Sequence, residues 1–101
     1  MKIEREIPQC GDIYKHFKGK KYLIINGEAT NCTNGSDLNE KFVVYFEYRN
    51  PSKIYIRKQS EFLSPVDKEK YPDTEQEWRF EKVNEVFLSS MLRNGIKYFG
   101  K

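Results

Sequence analysis

From Ile13 the chain alternates, with Ile13 and Phe17 on one side and Tyr14 and His16 on the other. This period of two predicts a half-buried strand. Lys18-Gly19-Lys20 supplies a turn, with Gly19 suited to a positive φ angle. Tyr22-Leu23-Ile24-Ile25 then reads as a short strand buried on both faces. Phe42 to Tyr48 is the strongest strand signal. Phe42, Val44, Phe46 and Tyr48 share one face, and Val43, Tyr45 and Glu47 the other, with Val44 and Phe46 taken as the core set. After an Asn50-Pro51-Ser52 turn, Lys53 to Arg57 alternates again, with Ile54 and Ile56 inward and Lys53, Tyr55 and Arg57 outward. Trp78, Phe80 and Lys82 alternate with Arg79, Glu81 and Val83 in a closing strand.

Polar stretches separate these segments. Asn26 to Lys41 is rich in Asn, Gly, Ser and Asp, and predicts either one long excursion or a strand end near Ala29 followed by a wide turn. Asp67 to Gln76 reads as a surface loop or a short helical turn. Beyond Asn84, a residue type that caps helices, Val86, Phe87, Leu88, Met91 and Leu92 recur at helical spacing up to Gly95. Such a helix would pack on the strands or on a partner. The expected fold is therefore mainly β: a small SH3-like antiparallel barrel of about five strands, by their spacing. Its expected organisation is an N-terminal arm over 1–10, the barrel over 11–83, and a C-terminal helical extension over 84–101.

Composition leaves that picture standing and narrows the chemistry. A mean hydropathy of −0.83 would suit a disordered chain, but 15% of residues are aromatic, and large rings let a small core bury enough surface. The net charge of +3 is well short of the basic stripe that marks a nucleic-acid binder. Cys10 and Cys32 match no metal spacing and are expected to be unpaired thiols. No apolar run reaches the length of a signal sequence or membrane span, which makes the cytoplasm the expected location.

The segment Gly11-Asp12-Ile13-Tyr14-Lys15-His16-Phe17-Lys18-Gly19-Lys20-Lys21-Tyr22 resembles the signature of a bacterial and phage family known as domain of unknown function 1653. The likeness continues through Ala29, Val43-Val44-Tyr45, Arg57 and Phe62, and ends around Tyr71-Pro72-Asp73 and Arg79-Phe80. Two stretches depart from the family pattern: Thr30 to Asn34 after the alanine, and Lys58 where a proline usually follows the arginine. The resemblance implies an SH3-like β-barrel and brings no established activity.

No paired carboxylates, metal cluster or nucleophile with a base can be read from the sequence, so no catalytic or metal residues and no cofactor are assigned, and the chain is not expected to be an enzyme. His16 is the only histidine, and lacks the partner that acid–base catalysis needs. Around the first turn, Lys15, Lys18, Lys20 and Lys21 form either a solvated hairpin tip or an anion site. Tyr45, Tyr55 and Arg57 on neighbouring strands could add rings to stack a base and a planar cation to hold its phosphate. Ordinary cross-strand pairing would use the same residue types. The expected ligand-binding set is His16, Lys18, Lys21, Tyr45, Tyr55 and Arg57.

The expected function is that of a non-enzymatic binding module for a small anionic ligand, a nucleotide or a nucleotide-derived signal. In a phage setting such capture would sequester a host defence signal. One alternative is a protein-interaction adaptor using the barrel edge or the C-terminal helix. Another is single-stranded nucleic-acid binding, which the modest charge disfavours. No membrane partner is expected.

Overall fold

A computed structural model describes residues 5–84. In them β1 (Ile13–His16), β2 (Lys21–Thr30), β3 (Lys41–Glu47), β4 (Asn50–Lys58) and β5 (Phe80–Lys82) form one antiparallel sheet ordered β4-β3-β2-β1-β5. A single turn of helix, α1 (Gln59–Phe62), follows β4 directly. The expected helix from Asn84 to Gly95 lies outside the described residues, apart from Asn84 itself.

Local chemistry accounts for the connections. Gly19 adopts φ +111° in the β1–β2 turn, a region that strains residues carrying a Cβ. The β2–β3 connection is the second of the two arrangements expected. β2 runs on to Thr30, and the loop after it is closed by the Ser36 hydroxyl donating to the Asn31 and Thr33 carbonyls, each at 2.6 Å. Register shifts between Ile24 and Asn26, and between Asn26 and Ala29, bend β2 within the sheet.

The sheet is curled but open, which corrects the expectation of a closed barrel. β4 and β5 are both edges, and β5 is only three residues long, so it offers little backbone to close a ring. Side chains fill the hollow instead. Phe62 from α1 stacks on Phe80 of β5 with centroids 4.0 Å apart and planes 7° from parallel. Tyr45 meets Phe62 at 5.3 Å and Phe80 at 5.6 Å, both at steep angles, and Tyr14 meets Phe62 edge-on at 5.3 Å. With Ile24 and Val43 these rings form the core, and each steep ring pair adds about 0.5–1.5 kcal/mol to its area burial.

That core reverses the expected facing of β3 and β4, and in β1 both Ile13 and Tyr14 are buried. Tyr14, Val43 and Tyr45 are buried, while Ile54 and Ile56 are 60% and 64% exposed. Tyr55 and Arg57, expected to face outward, are half-buried toward the hollow. In β2, Leu23 and Ile24 are buried, but Ile25 is exposed rather than enclosed. The cause lies outside the strands. α1 and the connection that follows it cover one face, and the sheet curls around the rings they deliver.

The N-terminal arm is fastened across this assembly. Arg5 donates to the Leu63 carbonyl at 3.1 Å and the Phe80 carbonyl at 2.8 Å, and its guanidinium lies 4.4 Å from the Trp78 ring. Pro8 is fully buried against Gly27.

Candidate functional site

His16 ends β1, pairs with Phe80 of β5, and is half-buried at the rim of the ring-filled hollow, its mouth. Its ring stacks on Phe17 at 4.4 Å and meets Phe80 edge-on at 4.9 Å. The Lys18 backbone N–H donates to His16 Nδ1 at 3.0 Å. That bond requires a lone pair on Nδ1, so the neutral ring carries its proton on Nε2. Burial pushes the His16 pKa down to about 4, and Arg57, Arg79 and Lys18 push it in the same direction. All three of these charges are positive.

Arg57 reaches this mouth from the far edge of the sheet because the sheet curls. Its guanidinium lies 5.7 Å from the Phe80 ring, the ring that His16 also touches. Arg57 Nε donates to the Tyr45 hydroxyl at 3.1 Å, and Nη1 pairs with the Glu61 carboxylate. Burial alone would lower the Arg57 pKa, but the bonds to Tyr45 and Glu61 outweigh it and the net shift is upward. The side chain is a fixed cation with part of its fork committed to the protein.

The remaining expected residues divide. Lys18 belongs to the mouth, with its ammonium 5.3 Å from the Tyr71 ring, which in turn packs on Phe17 at 4.8 Å. Tyr55 is half-buried and packs against Tyr22 at 5.9 Å and Tyr45 at 5.6 Å. Tyr45 is 3% exposed, so its ring offers no platform to a ligand, and its contribution is to hold Arg57. Lys21 pairs across the sheet with Lys15, on the face opposite Tyr14 and His16. It helps line a separate open recess of about 400 Å³ with Gly19, Lys20, Glu47, Tyr48 and Arg49. Lys20 is ion-paired there with Glu47 at 3.6 Å. The lysine cluster of the turn is therefore shared between two sides, and only Lys18 is placed with His16.

Arg79 and Tyr71 belong to the mouth and were missed by sequence reasoning. Arg79 Nε donates to the Ser64 hydroxyl at 3.2 Å, and its backbone carbonyl accepts from the Phe17 N–H at 3.0 Å. Both lie within the family resemblance, but nothing local ties either to His16, since both are brought in by the long connection between α1 and β5.

Cys10 and Cys32 are free and exposed. Among the described residues no group of three or more His, Cys, Asp and Glu could hold a metal, and no helix is long and apolar enough to cross a membrane. Residues 12–82 match the model of one family, described as Protein of unknown function (DUF1653). No curated protein and no solved structure matches the chain.

Proposed function

The chain belongs to the DUF1653 family, and from that premise we propose that it is a non-enzymatic binding module that captures a small anionic ligand at the His16 mouth. The observation that carries this reading is a half-buried histidine packed on Phe80, with Arg57 over the same ring and Arg57, Arg79 and Lys18 all lowering its pKa. An anion entering there would accept from His16 Nε2–H and face three cations, in a setting where partial burial weakens solvent screening. Phe17, Tyr71 and Tyr55 stand beside these charges and suit a ligand that carries a flat ring as well as phosphate. A nucleotide or a nucleotide-derived signal has both parts. In a phage, holding such a molecule in the cytoplasm would withdraw it from a host defence pathway. The curled sheet is on this proposal an opened SH3-like scaffold that presents binding groups at its rim.

Calorimetry of the full chain against pyrophosphate and a panel of mono-, di- and cyclic nucleotides tests the proposal. Binding at millimolar concentration or tighter is expected, weakened by at least about tenfold in a Lys18→Ala/Arg79→Ala variant, which loses two charge-assisted contacts. Absence of binding across the panel at millimolar ligand would overturn it.

A further inference from the structure

The two edges of the sheet differ in how their backbone groups are occupied. Where β1 meets β5, the Phe17 N–H donates to the Arg79 carbonyl at 3.0 Å, so the next residue, Phe80, turns its backbone groups away from β1. The Phe80 carbonyl accepts from Arg5 at 2.8 Å, and the N-terminal arm thereby occupies that edge. At β4 the directions follow from the inner strands. The Tyr48 N–H donates to the Lys21 carbonyl and the Ile24 N–H to the Asp12 carbonyl, each at 2.9 Å. The backbone of Phe46 therefore bonds toward Leu23 of β2, and that of Tyr45 toward Tyr55 of β4. By the same alternation Tyr55 and Arg57 bond inward to β3, while Ile54, Ile56 and Lys58 turn their N–H and C=O groups out from the sheet. Among the described residues no strand lies beyond them, and the side chains of Ile54 and Ile56 are 60% and 64% exposed. Pro51, Ser52 and Lys53 bulge between the Glu47–Asn50 and Phe46–Ile54 pairs and guard only the first part of this edge.

We propose that β4 pairs with β4 of a second copy of this chain, antiparallel about a two-fold axis at Tyr55. A two-fold contact needs a surface that complements itself. Ile54-Tyr55-Ile56 reads the same in both directions, so Ile54 of each copy falls opposite Ile56 of the other, and Tyr55 opposite Tyr55. Because Ile54 and Ile56 carry the outward backbone groups, these two opposed pairs are the hydrogen-bonded ones, with about four bonds in all. Their exposed side chains meet on the face away from the hollow. At the next position Lys53 nears Arg57 of the second copy. That like-charge contact is softened, since Lys53 lies in the bulge and Arg57 is already paired with Glu61. So short a contact buries well under the roughly 1,200 Å² of a standard interface, which sets an expected dissociation constant of about 10 µM to 1 mM. The inference concerns the outer edge and does not depend on the anion reading.

Sedimentation equilibrium of the full chain, with amide hydrogen exchange at matching concentrations, tests the proposal. The average mass should rise from 12.1 kDa toward twice that value as protein increases from about 10 µM to 1 mM. Over the same range the Ile54 and Ile56 amides should gain protection, while those of Tyr55 and Arg57, bonded within the sheet, should be protected throughout. Ile56→Pro removes an outward N–H that the β3 ladder does not use, and should weaken association at least about tenfold. Ile54→Lys/Ile56→Lys alters only exposed side chains, leaves the fold in place, and should weaken it at least as much. A monomer at every concentration up to about 1 mM would overturn the proposal. So would a dimer that both variants leave unchanged, or one that forms without protecting the Ile54 and Ile56 amides.

Discussion

Replacing Gly27 by alanine would drive a methyl group into the backbone of the N-terminal arm. A Cβ built at Gly27 stands 2.0 Å from the Pro8 carbonyl oxygen and 2.9 Å from its carbonyl carbon, so one chain must move. β2 is held to β3 by the Asn26–Val44 and Ala29–Phe42 pairs on either side of Gly27, whereas the arm at Pro8 belongs to no strand. The arm yields instead, and Pro8 and Arg5 move with it. Overpacking of this kind costs about 1–3 kcal/mol. Releasing the arm also loses the two guanidinium bonds of Arg5 to Leu63 and Phe80; being partly exposed, they are worth about 1 kcal/mol together, below the usual range for charged donors. The expected loss is about 2–4 kcal/mol, a large share of the roughly 5–15 kcal/mol that holds an ordinary domain.

Urea unfolding followed by Trp78 fluorescence measures this, because the arm's guanidinium lies on that ring. A double-mutant cycle then identifies the moving part. If Gly27→Ala already frees the arm, adding Arg5→Ala should cost less than about 0.5 kcal/mol more, whereas independent sites would add in full. A Gly27→Ala protein within about 0.5 kcal/mol of wild type, or full additivity with Arg5→Ala, would refute the reasoning.

Three further outcomes follow from the same geometry. Tyr45→Phe keeps the core ring but removes the hydroxyl that holds Arg57 Nε; unfolding should show a loss of about 1 kcal/mol, with weaker pyrophosphate binding by calorimetry. Phe62→Ala removes a ring that is fully buried and stacked on Phe80, and should cost about 3–5 kcal/mol in chemical denaturation. Acid should destabilise the fold through His16, whose folded pKa of about 4 lies below its ordinary 6.5. Between those values the unfolded chain binds more protons than the folded one, so stability falls as pH drops through this window. The slope of unfolding free energy against pH from 6.5 to 4 should flatten in a His16→Gln variant.

The positions of the strands along the chain are largely legible in the sequence because alternation marks β1, β3 and β4 directly. The assignment of inside and outside is not. In β3 the set Phe42, Val44 and Phe46 is more apolar than Val43 and Tyr45, yet Val43 and Tyr45 are the buried pair. Both faces of the sheet are apolar, so local hydrophobicity cannot choose between them. The choice is made by α1 and the connection after it, which bring Phe62 and Phe80 to one side only. Alternation did group His16, Tyr45, Tyr55 and Arg57 by parity, and the structure has them on one face. That face proves to be the core side, which converts Tyr45 from a binding ring into a support for Arg57. Arg79 and Tyr71 join the mouth through long-range placement, which neither the loop around Tyr71 nor the alternation around Arg79 reveals. The turn lysines look like one cluster along the chain, but strand alternation sends Lys15 and Lys21 to the opposite face.

The most direct test of the binding site is the titration of the His16 ring by nuclear magnetic resonance, with and without pyrophosphate. It is the only imidazole in the chain, so its signals can be followed through the whole range. Alone, the ring should titrate near 4, held down by burial and by Arg57, Arg79 and Lys18. A bound anion offsets those cations and accepts from the ring, so saturating pyrophosphate should raise the midpoint by about one unit or more. A free midpoint near the ordinary 6.5 would contradict the cationic mouth, and a midpoint unmoved by about 10 mM pyrophosphate would contradict anion capture there.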